Sequence, residues 1–349
     1  MVKDDTGMHY YREADGNPSV LRGKTIAVAG YGNQGRPQAL NLRDSGFAVI
    51  IGAREGRAGW ERARADRFDV MSIREAARRA DVLMMLLPDE VQGDVFAEEI
   101  RGALKPGSAL CFAHGFSVAF GEIAAEDLDI ILVAPKGQGG RLRESYEEGS
   151  GLPCLVGVEN DFSGAARAIA LALAGGLGCL RIGGYETSFR EEAVSDLFGE
   201  QAVLCGGVPS LMKRAFDVLV RRGYSPDVAY FECFHELKII VDLFTRAGFS
   251  GMRDVISGTA AYGSLKFGED LIGADIEEKM ERLFDRIESG EFARAWLAEK
   301  RSGSGELARL RERERELLIE RTGKEVREKS GIAAEPPRVR AKKGCDARK

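Results

Sequence analysis

The chain reads as an α/β protein, with a doubly wound sheet in its N-terminal half and an all-α domain after it. Three observations predict this. From Lys24 to about Pro135, short β-rich runs alternate with helical stretches, the pattern that winds helices around a parallel sheet. A glycine-rich turn, Gly30-Tyr31-Gly32-Asn33-Gln34-Gly35, separates the first of those runs from its helix. After about Gly184 the character changes, and long helical patterns dominate through Glu328.

The strand candidates are Thr25–Ala29, Ala48–Ile51, Asp81–Leu87, Ala109–Phe112 and Asp129–Val133, with Gln38–Ser45 and Ile73–Arg79 among the helices between them. Pro153–Val158 and Cys179–Ile182 are candidates to extend the sheet. The helical part breaks at Gly206-Gly207, Ser225-Pro226 and the Ser-Gly run 302–305. Leu307–Glu328, dense in Arg and Glu, is expected to be a solvated helix. The expected domains are residues 1–184, residues 185–330, and a disordered tail, 331–349, with Pro336-Pro337 and a basic run.

Bulk properties narrow the classes. A chain of 349 residues has room for two cores, and its 30% charged and 44% hydrophobic content is ordinary for a globular protein. A net charge of −5 gives no reason to expect nucleic acid. Met1–Tyr11 is polar, unlike a signal peptide, and the longest apolar run, Ala168–Leu180, is short and broken by glycines. A cytoplasmic enzyme without a membrane partner is expected. Six scattered cysteines without CxxC pairing read as reduced thiols, most of them buried.

The glycine turn carries the first chemical signal. Following a strand and opening a helix, it has the Rossmann dinucleotide-binding pattern: Gly30 for the turn, Gly32 for approach to a pyrophosphate, Gly35 for close packing. Pro37 falls in the first helical turn, where its missing N–H costs nothing. The second strand ends in Gly52-Ala53-Arg54-Glu55-Gly56-Arg57, whose arginines favour NADP over NAD.

The second signal is a pair of acidic pairs. Asp196 and Glu200, then Glu232 and Glu236, each stand four residues apart on one helical face amid Phe198, Val203, Phe231 and Leu237. Carboxylates among apolar residues are costly unless something positive sits between them, and two Mg²⁺ ions, which prefer oxygen ligands, answer that need. With the glycine turn this points to an oxidoreductase that needs a metal.

At this point the motifs resemble a known family. Asp196-Leu197-Phe198-Gly199-Glu200-Gln201 and Tyr230-Phe231-Glu232-Cys233-Phe234-His235-Glu236 resemble the two acidic helices of ketol-acid reductoisomerases. Ala113-His114-Gly115-Phe116, Ala134-Pro135-Lys136-Gly137 and Leu40–Gly46 match as well, in order, and the length is that of the short form. The resemblance implies Mg²⁺-dependent alkyl migration in a 2-hydroxy-3-keto acid (2-acetolactate or 2-aceto-2-hydroxybutyrate). Reduction by NADPH (or NADH) to the 2,3-dihydroxy acid follows, in valine, leucine and isoleucine synthesis. It further implies that Asp196 and Glu200 bind metal, with Glu232 and Glu236 supplied by the partner in a homodimer or higher assembly with shared sites. Glu236 would also relay protons, and Ser257 would hold the substrate carboxylate. By the same resemblance His114 and Lys136 are catalytic. Tyr31, Asn33 and Gln34 with the loop glycines, Arg54, Arg57, Asp89, Glu90, Val91, Gln92 and Gly139 are then cofactor contacts.

Each assignment has a plainer rival: His114 as a core histidine, His235 as structural, Ser257 as a helix cap. The chain also departs from the family pattern. Arg36-Pro37-Gln38 replaces histidines, Arg57 and Gly59 stand where two hydroxyl residues are usual, Gln138-Gly139-Gly140 replaces Pro-Gly-His, and Ala261 replaces an acid. These changes leave open a relative reducing a different keto acid, and a nucleotide-binding protein without turnover.

Overall fold

A computed structural model describes residues 2–3 and 8–330, so the expected tail lies outside the described residues. The chain divides into two compact units between Ala193 and Val194.

The first unit holds one ten-stranded sheet. Its strands are β1 (Val2–Lys3), β2 (His9–Tyr11), β3 (Thr25–Ala29), β4 (Ala48–Gly52), β5 (Asp69–Met71), β6 (Val82–Met85), β7 (Ala109–Phe112), β8 (Asp129–Pro135), β9 (Cys154–Asn160) and β10 (Gly184–Glu186). The order is β1-β2-β10-β9-β8-β7-β6-β3-β4-β5. From β3 to β8 all pairs are parallel, in the doubly wound order that reverses between β3 and β6. The sheet as a whole is mixed, because β9 joins β8 antiparallel and β2 joins β10 antiparallel.

Period-two alternation explains why helices cover both faces. Ile26, Val28, Val82, Met84 and Cys111 point into one core, packed by helices Gly35–Asp44 and Ala166–Gly176. Ala27, Ala29, Leu83, Met85, Leu110 and Phe112 point into the other, packed by Ile73–Arg79. One expected strand is corrected: Cys179–Arg181 is a 3₁₀ turn, entered from Gly178 at φ 83°, and Gly184–Glu186 is the strand. That left-handed residue turns the chain out of an extended path. Of the five described cysteines, Cys111, Cys154 and Cys179 are buried, Cys233 is half-buried and Cys205 is exposed; all are free thiols.

The second unit is helical, with segments including Gly207–Arg221, Leu237–Val255, Gly258–Leu271, Ala274–Glu288 and Leu318–Ser330. One of its buried clusters comprises Phe216, Ala229, Tyr230, Ile319 and Val326. The single solvated helix expected over Leu307–Glu328 is corrected to two. Gly305–Arg315 buries nothing, whereas Leu318–Ser330 buries Ile319, Thr322, Gly323 and Val326. Those four fall on one helical stripe that charge density conceals, and Gly323 lies so near the Tyr230 ring that a Cβ would stand 2.6 Å from it. Among the described residues no helix is long and apolar enough to cross a membrane.

Candidate active site

The site is built outward from the end of β3, beside the point where strand order reverses and ligands bind in open α/β sheets. Gly30 adopts φ 95°, and a Cβ there would meet the Leu86 carbonyl oxygen at 2.7 Å. A Cβ on Gly35 would strike the Gly30 carbonyl oxygen at 2.1 Å, while one on Gly32 would meet nothing within 4 Å. Gly30 and Gly35 are therefore dictated by packing, and Gly32 leaves open space where a dinucleotide's pyrophosphate can approach backbone. The cradle fits the nicotinamide cofactor that the resemblance implies. Gly139 presses on the same loop, its ideal Cβ only 1.8 Å from the Asn33 carbonyl oxygen. Gln34 donates to the Gly137 carbonyl at 3.2 Å.

Tyr31 turns inward. Its ring is buried against Phe68, and its hydroxyl donates to Asp66 at 2.9 Å. Arg36 grips the same carboxylate with Nε at 2.6 Å and a second nitrogen at 3.0 Å. Burial pushes the Tyr31 phenol well up, reinforced by Asp66. Burial also pulls Asp66 upward, yet the hydrogen bonds from Arg36 and Tyr31 outweigh it and hold the carboxyl below its usual range. Arg36, a departure from the family pattern, thus has a structural partner. Arg54 and Arg57 are exposed at the end of β4, with Arg57 preceding the helix Ala58–Ala65.

A second group of polar residues lines the ends of β6, β7 and β8. Asp89 Oδ2 lies 2.9 Å from His114 Nδ1, so a neutral His114 that donates from Nδ1 carries its lone pair on Nε2. Gln92 is buried and holds this turn, donating to the Leu87 carbonyl and Asp89 while accepting from Ser117. Glu90 and Val91 are half-buried beside it. Lys136 Nζ pairs at 2.8 Å with Glu192, which is 1% exposed and whose other oxygen accepts from the Gly115 backbone N–H at 2.6 Å. Edge-to-face packing of Phe189 on Phe112 anchors the start of the Glu192 helix to the sheet. Sequence reasoning missed Glu192; its signal was its place one turn before Asp196 on the helix Phe189–Gly199.

In the second unit both acidic segments are wound as π-turns, which sequence spacing does not reveal. Glu200 opens Glu200–Leu204, closed by Cys205 N–H donating to the Glu200 carbonyl at 2.7 Å. Glu232 lies in Phe231–His235, closed by Glu236 N–H donating to the Phe231 carbonyl at 3.1 Å. Such bulges are frequent at functional sites because they displace side chains from the regular helical stripe. Glu200, Glu232 and Glu236 are exposed and Asp196 is half-buried. These are all-oxygen donors, the set a hard divalent cation takes. His235 packs edge-to-face on Phe231. Ser257 caps the helix Gly258–Leu271, its hydroxyl accepting from Ala260 N–H at 3.1 Å.

Residues 20–183 match the family model for the acetohydroxy acid isomeroreductase NADPH-binding domain. Residues 189–331 match that for the ketol-acid reductoisomerase C-terminal domain. A solved NADH-preferring ketol-acid reductoisomerase from an uncultured archean is 45% identical, covering 94% of this chain and all of that one, with a TM-score of 0.90. An NAD-binding semialdehyde dehydrogenase protein from Cupriavidus necator shares the fold alone, at 21% identity and TM-score 0.60 over 78% of this chain and 99% of that one. With both halves matched in order, the chain belongs to the ketol-acid reductoisomerase family.

Proposed function

We propose that this ketol-acid reductoisomerase of branched-chain amino acid synthesis works with NADPH and two Mg²⁺ ions in an assembly of at least two copies. Its substrate is then 2-acetolactate or 2-aceto-2-hydroxybutyrate. The observation that carries the reading is the pairing of a glycine cradle in the first unit with two π-wound acidic segments in the second.

Asp196 and Glu200 hold metal from one copy, and Glu232 and Glu236 complete the site of another. The ions supply Lewis-acid stabilisation of negative charge on the substrate oxygens, and the nicotinamide supplies the hydride. Lys136, fixed by Glu192, and His114, fixed by Asp89, are the chain's own polar groups for binding and proton movement. Glu236 exchanges protons with the substrate, and Ser257 receives the substrate carboxylate. Shared sites are supported by the apolar faces of the second unit. Tyr262, Leu265 and Leu271, on Gly258–Leu271, are 68%, 63% and 67% exposed in the single chain, and clustered exposed apolar side chains mark interaction surfaces.

NADPH is favoured because Arg54 and Arg57 stand exposed at the strand end that faces a 2′-phosphate in this fold. Gly59, and the NADH preference of the 45% identical relative, support the opposite choice. Oxidation of NADPH and of NADH with 2-acetolactate, with and without Mg²⁺, tests both. Metal-dependent oxidation faster with NADPH is expected. Faster NADH oxidation would reverse the cofactor assignment, and turnover without metal would overturn the role of the acids.

A further inference from the structure

We propose that Arg143 is a positioning residue for the nicotinamide cofactor, acting through the helix that carries Gly139. The side chain is 1% exposed, among the largest buried groups of the chain. A guanidinium stays charged at any ordinary pH, so a cation this deep must be paired or it is strongly destabilising. It donates to Asn41 at 2.9 Å and pairs with Asp44 at 2.6 Å, both on the glycine-loop helix Gly35–Asp44. A third bond, to Glu147 at 2.9 Å, ties it to its own helix, Gly139–Glu147.

Those two helices meet at both ends. At the far end, Ser45 and Tyr146 share a hydroxyl contact of 2.8 Å. At the near end, Gly139 stands against Asn33 with no room for a Cβ, and Gln34 reaches the Gly137 carbonyl. The near end is the phosphate cradle itself, and Lys136 immediately precedes it. A slip between the helices therefore changes the cradle, and the buried fork of Arg143 fixes their register. Lysine can keep the charge but cannot hold three partners in one plane.

The proposal rests on the nicotinamide-binding role of the first unit and not on the reaction. Full-length protein in Mg²⁺ is titrated with NADPH by calorimetry, and thermal unfolding is recorded alongside. Arg143→Met should weaken NADPH binding about tenfold and Arg143→Lys about threefold, as displaced binding groups do. The informative variant is Arg143→Met combined with Asp44→Asn and Glu147→Gln, which removes the stranded carboxylates. It should regain most of the lost thermal stability while the affinity stays low. Unchanged affinity in Arg143→Met, or affinity that recovers together with stability in the triple variant, would overturn the proposal and leave a purely structural clamp. Should Arg143→Met fail to fold, Arg143→Lys carries the comparison: weaker binding at native-like stability supports positioning, and wild-type binding overturns it. A wild-type protein that binds NADPH without turning over 2-acetolactate would overturn the reading of the reaction alone.

Discussion

The two units differ in how completely they bury themselves. The first closes two apolar cores around its sheet, and strand residues such as Val28, Leu83, Leu110 and Ile131 are fully inaccessible. The second buries fewer side chains among the described residues, and its helix Gly258–Leu271 buries none. The glycine cradle is thus built on the more deeply buried scaffold, and the acidic segments on the more exposed one. Buried apolar area stabilises a fold by roughly 25 cal/mol per Å², so the second copy proposed above, by covering Gly258–Leu271, would add to the order of the helical unit.

The sharpest break between the units should come from Asp196. Asp196→Asn is expected to lower 2-acetolactate turnover about 1,000-fold, as loss of a strong charge-stabilising element does, while NADPH affinity stays near wild type. A parallel loss of affinity would show that the acids also serve the cradle. Next in size is Leu265→Glu, on the exposed face of Gly258–Leu271. On a monomer surface such a change costs within about 0.5 kcal/mol; at the core of an interface it should cost 2 kcal/mol or more. Sedimentation velocity should show dissociation, and an unchanged assembly would place Leu265 outside any interface.

Glu192→Gln probes whether the self-contained unit also contributes chemistry. Removing the charge that holds Lys136 should reduce kcat about 30-fold, within the range for lost supporting hydrogen bonds, without altering NADPH affinity. Equal kcat in the variant would reduce the Glu192–Lys136 pair to a packing feature.

The contrast also explains what could be read from the residues alone. Thr25–Ala29 and Ala109–Phe112 were legible to the residue as short apolar runs buried on both faces, and Ile73–Arg79 as a helix capped by Ser72. The strand β5 was missed: it is three residues long and carries too little periodicity. Cys179–Ile182 misled because an apolar run does not distinguish a buried turn from a strand. Four-residue spacing amid apolar residues brought the four acids into view, but their π-winding depends on a one-residue slip in helix hydrogen bonding that no side-chain pattern marks. Glu192 escaped because its partners, Lys136 and Gly115, come from distant β8 and β7 loops. Arg36 looked like a lost family residue until Asp66, thirty positions away, proved to be its partner.

That last pair gives the smallest effect and a test of the first unit's independence. Asp66 is held below the ordinary carboxylate value of 3.8, against the upward pull of burial, by Arg36 and Tyr31. A carboxyl with a lowered folded-state value contributes its stability above the unfolded value, and loses it as pH falls through the folded one. Asp66→Asn should therefore cost about 2 kcal/mol at pH 7, the scale of a charge-assisted hydrogen bond, and the gap to wild type should begin to narrow as pH falls below about 4. Urea unfolding of both proteins between pH 3 and 7 measures this. Because Asp66, Arg36 and Tyr31 all lie in the first unit, the same gap should persist in a Leu265→Glu background, in which the proposed assembly should be broken. A gap that vanished with the assembly would mean that the first unit is not complete on its own.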